Sequence, residues 1–231
     1  MNREEFLSRV RAAAQVGRSH PVHVRHNLNE RVGYDDGGPD LAARLAAEVT
    51  QAGGVAELVD DLPAAGAAIA AIARRHGATS ALVWQHPLLE RLGLDAVLSE
   101  LRIDRWHYER LRELDEAPQR AAIFAADLGI TSASCAIAET GTLAMIAGPG
   151  RERVVSLLPP VHVAVVGASQ IVPDLFDLFD RLVDDDPQSI ASNLTLITGP
   201  SKTGDLELKL TTGVHGPRVW YVVIVRDEGG A

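Results

Sequence analysis

The sequence predicts an α/β protein: a three-layer αβα domain around a mixed, largely parallel sheet, preceded by a helical arm. Three observations carry that expectation. Between Asp40 and Trp84, alanine-rich segments of helical period alternate with short continuous apolar runs, the pattern of parallel strands covered on both faces. From Ser134 to Val166 the β-prone runs are joined by Gly/Pro turns too short for a crossover helix, which brings in antiparallel pairing. A chain of 231 residues is also long enough for one such domain to bury roughly 70% of its unfolded surface without disulfides.

Residues 1–38 read as the arm and its loop, and residues 39–231 as the α/β domain. In "REEFLSRVRAAA", Phe6, Leu7 and Val10 recur at helical intervals, as in an amphipathic helix that packs on a neighbour. The stretch "SHPVHVRHNLNERVGYDDGGPD" loses that period and gathers turn residues, so a long loop is expected. "DLAARLAAEVTQAGG" reads as a helix closed by Gly53 and Gly54, "VAELV" as a strand, "PAAGAAIAAIARRHG" as a helix and "SALVW" as a strand. "HPLLERLGL" follows as a short helix, and the region from there to Leu114 shows no clear period. "APQRAAIFAADLG" predicts a helix with Pro118 in its first turn and Gly129 as its stop. Four short strands are expected from "CAIAET", "TLAMIA", "RVVSLLP" and "HVAVVG". The helix "VPDLFDLFDRLVDD" places Leu175, Phe176, Phe179 and Leu182 on one face, and "NLTLITG" and "RVWYVVIV" supply the closing strands.

Composition removes several function classes. A formal charge of −9 argues against a nucleic-acid footprint, which needs clustered Lys and Arg. The single cysteine, Cys135, leaves no internal disulfide and no ligand set for zinc or an iron–sulfur cluster, so cluster chemistry would belong to a partner. Its small apolar neighbours point to a buried, inert thiol. The charged start "MNREEFLSRVRAAAQVG" has no apolar h-region, and no window is apolar enough for a membrane span, so a soluble cytoplasmic protein is expected.

Two glycine-rich stretches hold the residues suited to chemistry. In "GITSASCAIAETGTLAMIAG", Glu139, Thr140 and Thr142 surround Gly141 at a tight turn that a ligand can approach closely. Glu139 there is either a nucleophile, base or substrate anchor, or a turn cap paired with Arg151 or Arg153. In "TLITGPSKTGDLELKLTTGVHGP", Gly199, Ser201, Lys202 and Thr203 offer backbone N–H groups, hydroxyls and an ammonium to an anion, or else form an ordinary connection. The spacing is not the G-x-x-x-x-G-K-S/T of a nucleotide phosphate loop. His215, in "GVHGP", either donates or titrates beside that loop or holds the loop in place. His162 opens a strand and reads as structural. His20, His23 and His26 lack metal-ligand spacing and are expected in solvent, as are the acidic runs "LVDDDP" and "ELDE".

Taken together, the E-T-G turn at Glu139, Thr140 and Gly141, the G-P-S-x-T-x-D loop at Gly199, Pro200, Ser201, Thr203 and Asp205, and the G-x-H-G-P loop at Gly213, His215, Gly216 and Pro217 resemble the LUD domain, specifically the lactate utilization protein C family. The similarity runs from about Asp40 to Asp227, with departures at Ser132, Ser134 and Lys202, where many relatives carry Gly, Asp and Arg. The resemblance implies a fold like that of glucosamine-phosphate isomerases, ribose-phosphate isomerases and CoA transferases. It implies the cluster-free subunit of a system oxidising L-lactate to pyruvate beside two iron–sulfur or cysteine-rich partners, with no cofactor of its own. A small carboxylate or phosphate is the implied ligand. An alternative is a stand-alone acyl-transfer or isomerase-like enzyme using Glu139 with an anion loop at 199–205. The three loops are expected to share one cleft.

Overall fold

The computed structural model describes residues 2–18, 35–184, 193–204 and 210–229. The chain divides into two units, Met1–Tyr34 and Asp35–Ala231. The first contains helix α1 (Arg3–Arg18), whose start is capped by the Asn2 side chain accepting from the Glu5 N–H at 2.8 Å. His20, His23 and His26 lie outside the described residues.

The second unit begins with the predicted alternation: α2 (Leu41–Gln51), β1 (Val55–Asp61), α3 (Leu62–Arg75) and β2 (Ser80–Val83). An aspartate caps each of these helices. Asp40 accepts from the Ala43 N–H at 2.9 Å, and Asp61 accepts from the Ala64 N–H at 2.8 Å, satisfying donors the first turn leaves over. Then come α4 (Pro87–Arg91), α5 (Leu94–Glu100), β3 (Asp104–Trp106), α6 (Tyr108–Arg112), α7 (Glu116–Phe124) and β4 (Leu128–Thr131). The rest comprises β5 (Cys135–Ile137), β6 (Thr142–Ile146), α8 (Val154–Leu157), β7 (Val161–Gly167), β8 (Ile171–Val172), α9 (Leu175–Asp184), β9 (Leu194–Ile197), β10 (Lys202–Gly204), β11 (Leu210–Thr212) and β12 (Val219–Asp227).

The central sheet is wholly parallel, whereas the second sheet is mixed, with β5–β8 parallel and its other pairs antiparallel. The central sheet has the order β1-β12-β7-β4-β2-β3, and every pair in it is parallel. The antiparallel pairs β5–β6 and β6–β9 stand with β8 in a second sheet of order β8-β5-β6-β9. β7 is buried along its whole length and β12 from Trp220 to Val225, so these two strands are the middle of the core. Successive side chains of β12 point to opposite faces. Trp220 packs toward α2 at Gly54, and Tyr221 hydrogen-bonds His76 at the end of α3, with 3.0 Å between its hydroxyl and Nε2. That places α2 and α3 in different layers, with the central sheet between them.

Three expectations are corrected, and the structure adds which side chain of α9 is buried. "RVVSLLP" forms the single turn α8 rather than a strand, because Pro159 and Pro160 have no N–H to give to a ladder. Gly129 is a strand residue of β4; α7 stops at Phe124, and the Asp127 carboxylate ties the next turn to Thr79 and Ser80. β12 does not close the sheet but lies inside it, while β9 joins the other sheet. On α9 it is Leu178 that is buried; Leu175, Phe176 and Phe179 are exposed. The Leu182 side chain lies outside the described residues.

Candidate functional site

Strands β7 and β12 start side by side, with His162 paired in register to Trp220, so both side chains stand on the α2 face of the sheet. Trp220 rests on a glycine, and His162 has a glycine as its register partner. A Cβ at Gly54 would come within 2.6 Å of Trp220 Cε3, so only glycine admits the indole there. Gly129, in register with His162 on β4, would place a Cβ 1.8 Å from the Val155 carbonyl oxygen, and its bareness lets α8 lie directly on the sheet.

These contacts make the inner wall of a cavity of about 210 Å³. Ser156 and Leu157 come from α8, Thr195 to Thr198 from β9 and its end, and Gly199, Ser201, His215 and Gly216 from the two glycine loops. The loops hold each other: the Ser201 N–H donates to the Pro217 carbonyl, and the Gly213 N–H donates to the Ser201 carbonyl, both at 3.0 Å. Gly199 has φ 89° and passes the Ala52 carbonyl, which would stand 2.6 Å from any Cβ; both conditions require glycine.

His162 is fully buried, and its Nε2 lies 2.8 Å from the Thr131 hydroxyl. Its Nδ1 and the Nε1 of Trp220 are buried side-chain atoms that find no hydrogen-bond partner among the described residues. Burial pushes the His162 imidazole down to about 3, so the ring is neutral at physiological pH. Unpaired buried polar atoms are uncommon because each costs free energy. Both atoms lie beneath the cavity wall rather than on its surface, His162 being wholly buried and Trp220 1% exposed.

The E-T-G turn does not line this cavity. Gly141, at φ 64°, lies against α2 at Glu48 and Val49. The Glu139 N–H donates to the Pro173 carbonyl, and its partly exposed carboxylate stands within electrostatic reach of Arg44, which forms a two-pronged pair with Asp35 at 2.6 and 2.9 Å. The turn meets the site through hydroxyls instead. Thr140 bonds Thr142, and Thr142 bonds Thr198 on the cavity wall, both at 2.7 Å. Two of the three expected loops therefore share the cavity, and the third is joined to it by this chain. Lys202 also points elsewhere, its ammonium donating to the Ala52 carbonyl at 2.6 Å beside the C-terminus of α2, where a cation is favoured. Thr203 lies in β10, and Asp205 lies outside the described residues. Burial raises the Cys135 thiol above its ordinary value, in keeping with an unreactive sulfur.

The sequence reads His162 as structural, in keeping with its full burial and its bond to Thr131, and it singles out no role for Trp220. The signal for the pair was a lone imidazole inside "VHVAVVG" and an indole inside "RVWYVVIV", polar-edged rings in strands otherwise apolar. A larger cavity of about 340 Å³ opens at the C-terminal ends of β2 and β3, lined in part by Gln85, Glu90, Asp95, Arg105 and His107. Most of its charges are paired, Arg105 with Asp95 and His107 with Glu109 at 3.0 Å, while Glu90 has no ion pair among the described residues. Among the described residues no group of three or more His, Cys, Asp or Glu is placed to hold a metal ion, and no helix is long and apolar enough to cross a membrane.

Comparison with known proteins agrees with this architecture. The LUD domain family model matches residues 42–225. Lactate utilization protein C of Halalkalibacterium halodurans is 33% identical over 161 residues, covering 68% of this chain and 67% of that protein. Lactate utilization protein C of an Exiguobacterium species is 38% identical over 138 residues, covering 58% of each chain. The matched stretch thus spans between 58% and 67% of these two relatives' length. Among solved structures, a DUF162 family protein of Deinococcus radiodurans superposes with a TM-score of 0.54 at 21% identity, over 80% of this chain and 96% of that one, and shares the fold. With its glycine loops, its sheet order and the match over residues 42–225, the chain belongs to the LUD domain family, alongside the lactate utilization protein C sequences.

Proposed function

We propose that this protein serves lactate utilisation as the cluster-free member of a set that oxidises L-lactate to pyruvate, the electrons passing through clusters held by iron–sulfur or cysteine-rich partners. The names of its relatives support the pathway, and the single cysteine supports the division of labour. The observation that carries a ligand-binding role is the cavity of about 210 Å³ at the two glycine loops, lined by Ser156, Thr195, Thr198, Ser201 and His215, the size and chemistry for a small polar metabolite. The stand-alone acyl-transfer reading depends on Glu139, which is partly exposed beside Arg44 and does not line that cavity, so it has the weaker support.

The test is lactate-dependent dye reduction by the material that co-purifies with the chain from its source. Iron and lactate oxidation are expected to accompany the protein and to fall when it is depleted. A protein that purifies without either, and whose depletion leaves lactate-dependent reduction unchanged, overturns the proposal.

A further inference from the structure

The second sheet leaves one strip of its outer face bare. Register partners share a face, so Cys135, Ala144 and Leu196 project to one side, and alternation along the strands puts Ile146 and Leu194 there too. α9 packs on that side over β5 and β8, burying Leu178 against Cys135, Ile137, Ala144 and Val172. Arg181 fixes how the helix is turned. Its guanidinium donates to the Ser169 carbonyl just before β8 at 3.4 Å, so the opposite flank, with Leu175 and Phe179, faces β6 and β9, and Phe176 forms the upper rim. These three side chains are exposed, as are Leu194 and Leu196 of β9. Adjacent strands lie about 4.8 Å apart and a helix is about 10 Å across, so the strip over β6 and β9 has the width of one helix.

The chain itself carries a helix of matching chemistry. α1 exposes Phe6 and Val10 one turn apart, with Arg3 and Arg11 exposed beside them. α9 exposes Asp180, and the sequence around it, "FDLFDRLVDDDP", is acidic. An apolar strip with an acidic rim takes an apolar helix with basic flanks. Both surfaces are exposed in the single chain, so neither is covered within it. We infer that α1 of a second copy lies in the strip between α9 and β9, and that the two chains exchange these arms about a two-fold axis. The five apolar side chains of the strip and the two of the arm are each 36–51% exposed. They amount to roughly 500 Å² of apolar surface per contact and about 1,000 Å² for two, comparable to the apolar share of a standard interface of about 1,600 Å².

The experiment is sedimentation equilibrium of the full chain, wild type and two double variants, run separately and as an equimolar mixture with one variant fluorescently labelled. The arm variant is Phe6→Gln with Val10→Gln, and the strip variant is Phe176→Gln with Phe179→Gln. Glutamine suits a helix and all four side chains are exposed, so the urea midpoints are expected to stay at the wild-type value. The wild type is expected to be a dimer, and each double variant to weaken it by about 100-fold. The mixture is expected to regain a heterodimer, because the intact arm of the strip variant meets the intact strip of the arm variant. Arg3→Glu with Arg11→Glu is expected to weaken the wild-type dimer by about 10-fold. Should the strip variant lose its fold, the wild type and the arm variant decide between them. A monomeric wild type overturns the exchange and leaves the strip to another protein. A dimer that survives either pair of glutamines, as one built strip to strip or arm to arm would, also overturns it, and so does a mixture that stays monomeric.

Discussion

The larger cavity, at the C-terminal ends of β2 and β3, holds five polar or charged side chains, while the smaller one, at the N-terminal ends of β7 and β12, is lined by four hydroxyls, three aromatic rings and apolar side chains. Open α/β sheets commonly bind ligands at the C-terminal ends of their strands, which favours the larger cavity. Partner accounting favours the smaller. Arg105 and Asp95 neutralise each other and His107 is engaged by Glu109, so among the described residues only Glu90 of the larger cavity's charged side chains is without an ion pair. His162 and Trp220 each hold one polar atom without a partner among the described residues, beneath the wall of the smaller cavity. What separates the two cavities is the pairing of charges rather than size.

The largest effect that tests this contrast is at Trp220. Trp220→Ala removes a fully buried ring and is expected to cost about 3–5 kcal/mol in urea unfolding, whereas Trp220→Phe keeps most of the packing and is expected to cost under about 1.5 kcal/mol. Equal losses would mean that the indole N–H is structural, and the contrast would collapse. Gly129→Ala drives a methyl into the Val155 carbonyl and is expected to cost about 1–3 kcal/mol by pushing α8 off the sheet, read as a lowered urea midpoint with an unchanged slope.

Acid sharpens the comparison further. The His162 imidazole titrates at about 3 in the folded chain against an ordinary 6.5, so the unfolded chain takes up the proton first as pH falls. Stability is then lost below pH 6.5, by about 2 kcal/mol on reaching pH 5, and His162→Phe should abolish that share of the loss. Identical acid slopes in the two proteins would show that the ring is not held neutral. The smallest effect belongs to the larger cavity: Asp95→Asn breaks a partly exposed pair with Arg105 and should change stability by no more than about 1 kcal/mol.

Much of the fold was legible because local rules and tertiary placement agree. The alternation from Asp40 to Val83 follows helical and strand periods closed by aspartate caps and glycine stops. The β-prone residues of "RVVSLLP" were misleading because propensity carries no information about the two prolines' missing donors. Gly129 looked like a helix stop, although its smallness serves contact with a helix far along the chain, which no local window contains. Of the site, the two glycine loops were readable from their turn chemistry. The role of His162 was not, since it depends on a threonine 31 residues away and on what the other ring nitrogen lacks.

The position of β12 bears on how the molecule comes to be. β1 pairs only with β12 in the central sheet, and β12, the last strand in chain order, must slide between β1 and β7. During synthesis the first α/β segments would leave the ribosome with an open strand edge and wait for a partner encoded more than 150 positions later. Contacts of such separation slow folding and prolong the exposure of sticky edges. Trp220 arrives on that same strand, so the cavity can be assembled only once β12 has docked, and a chain interrupted before it has no binding chamber to offer.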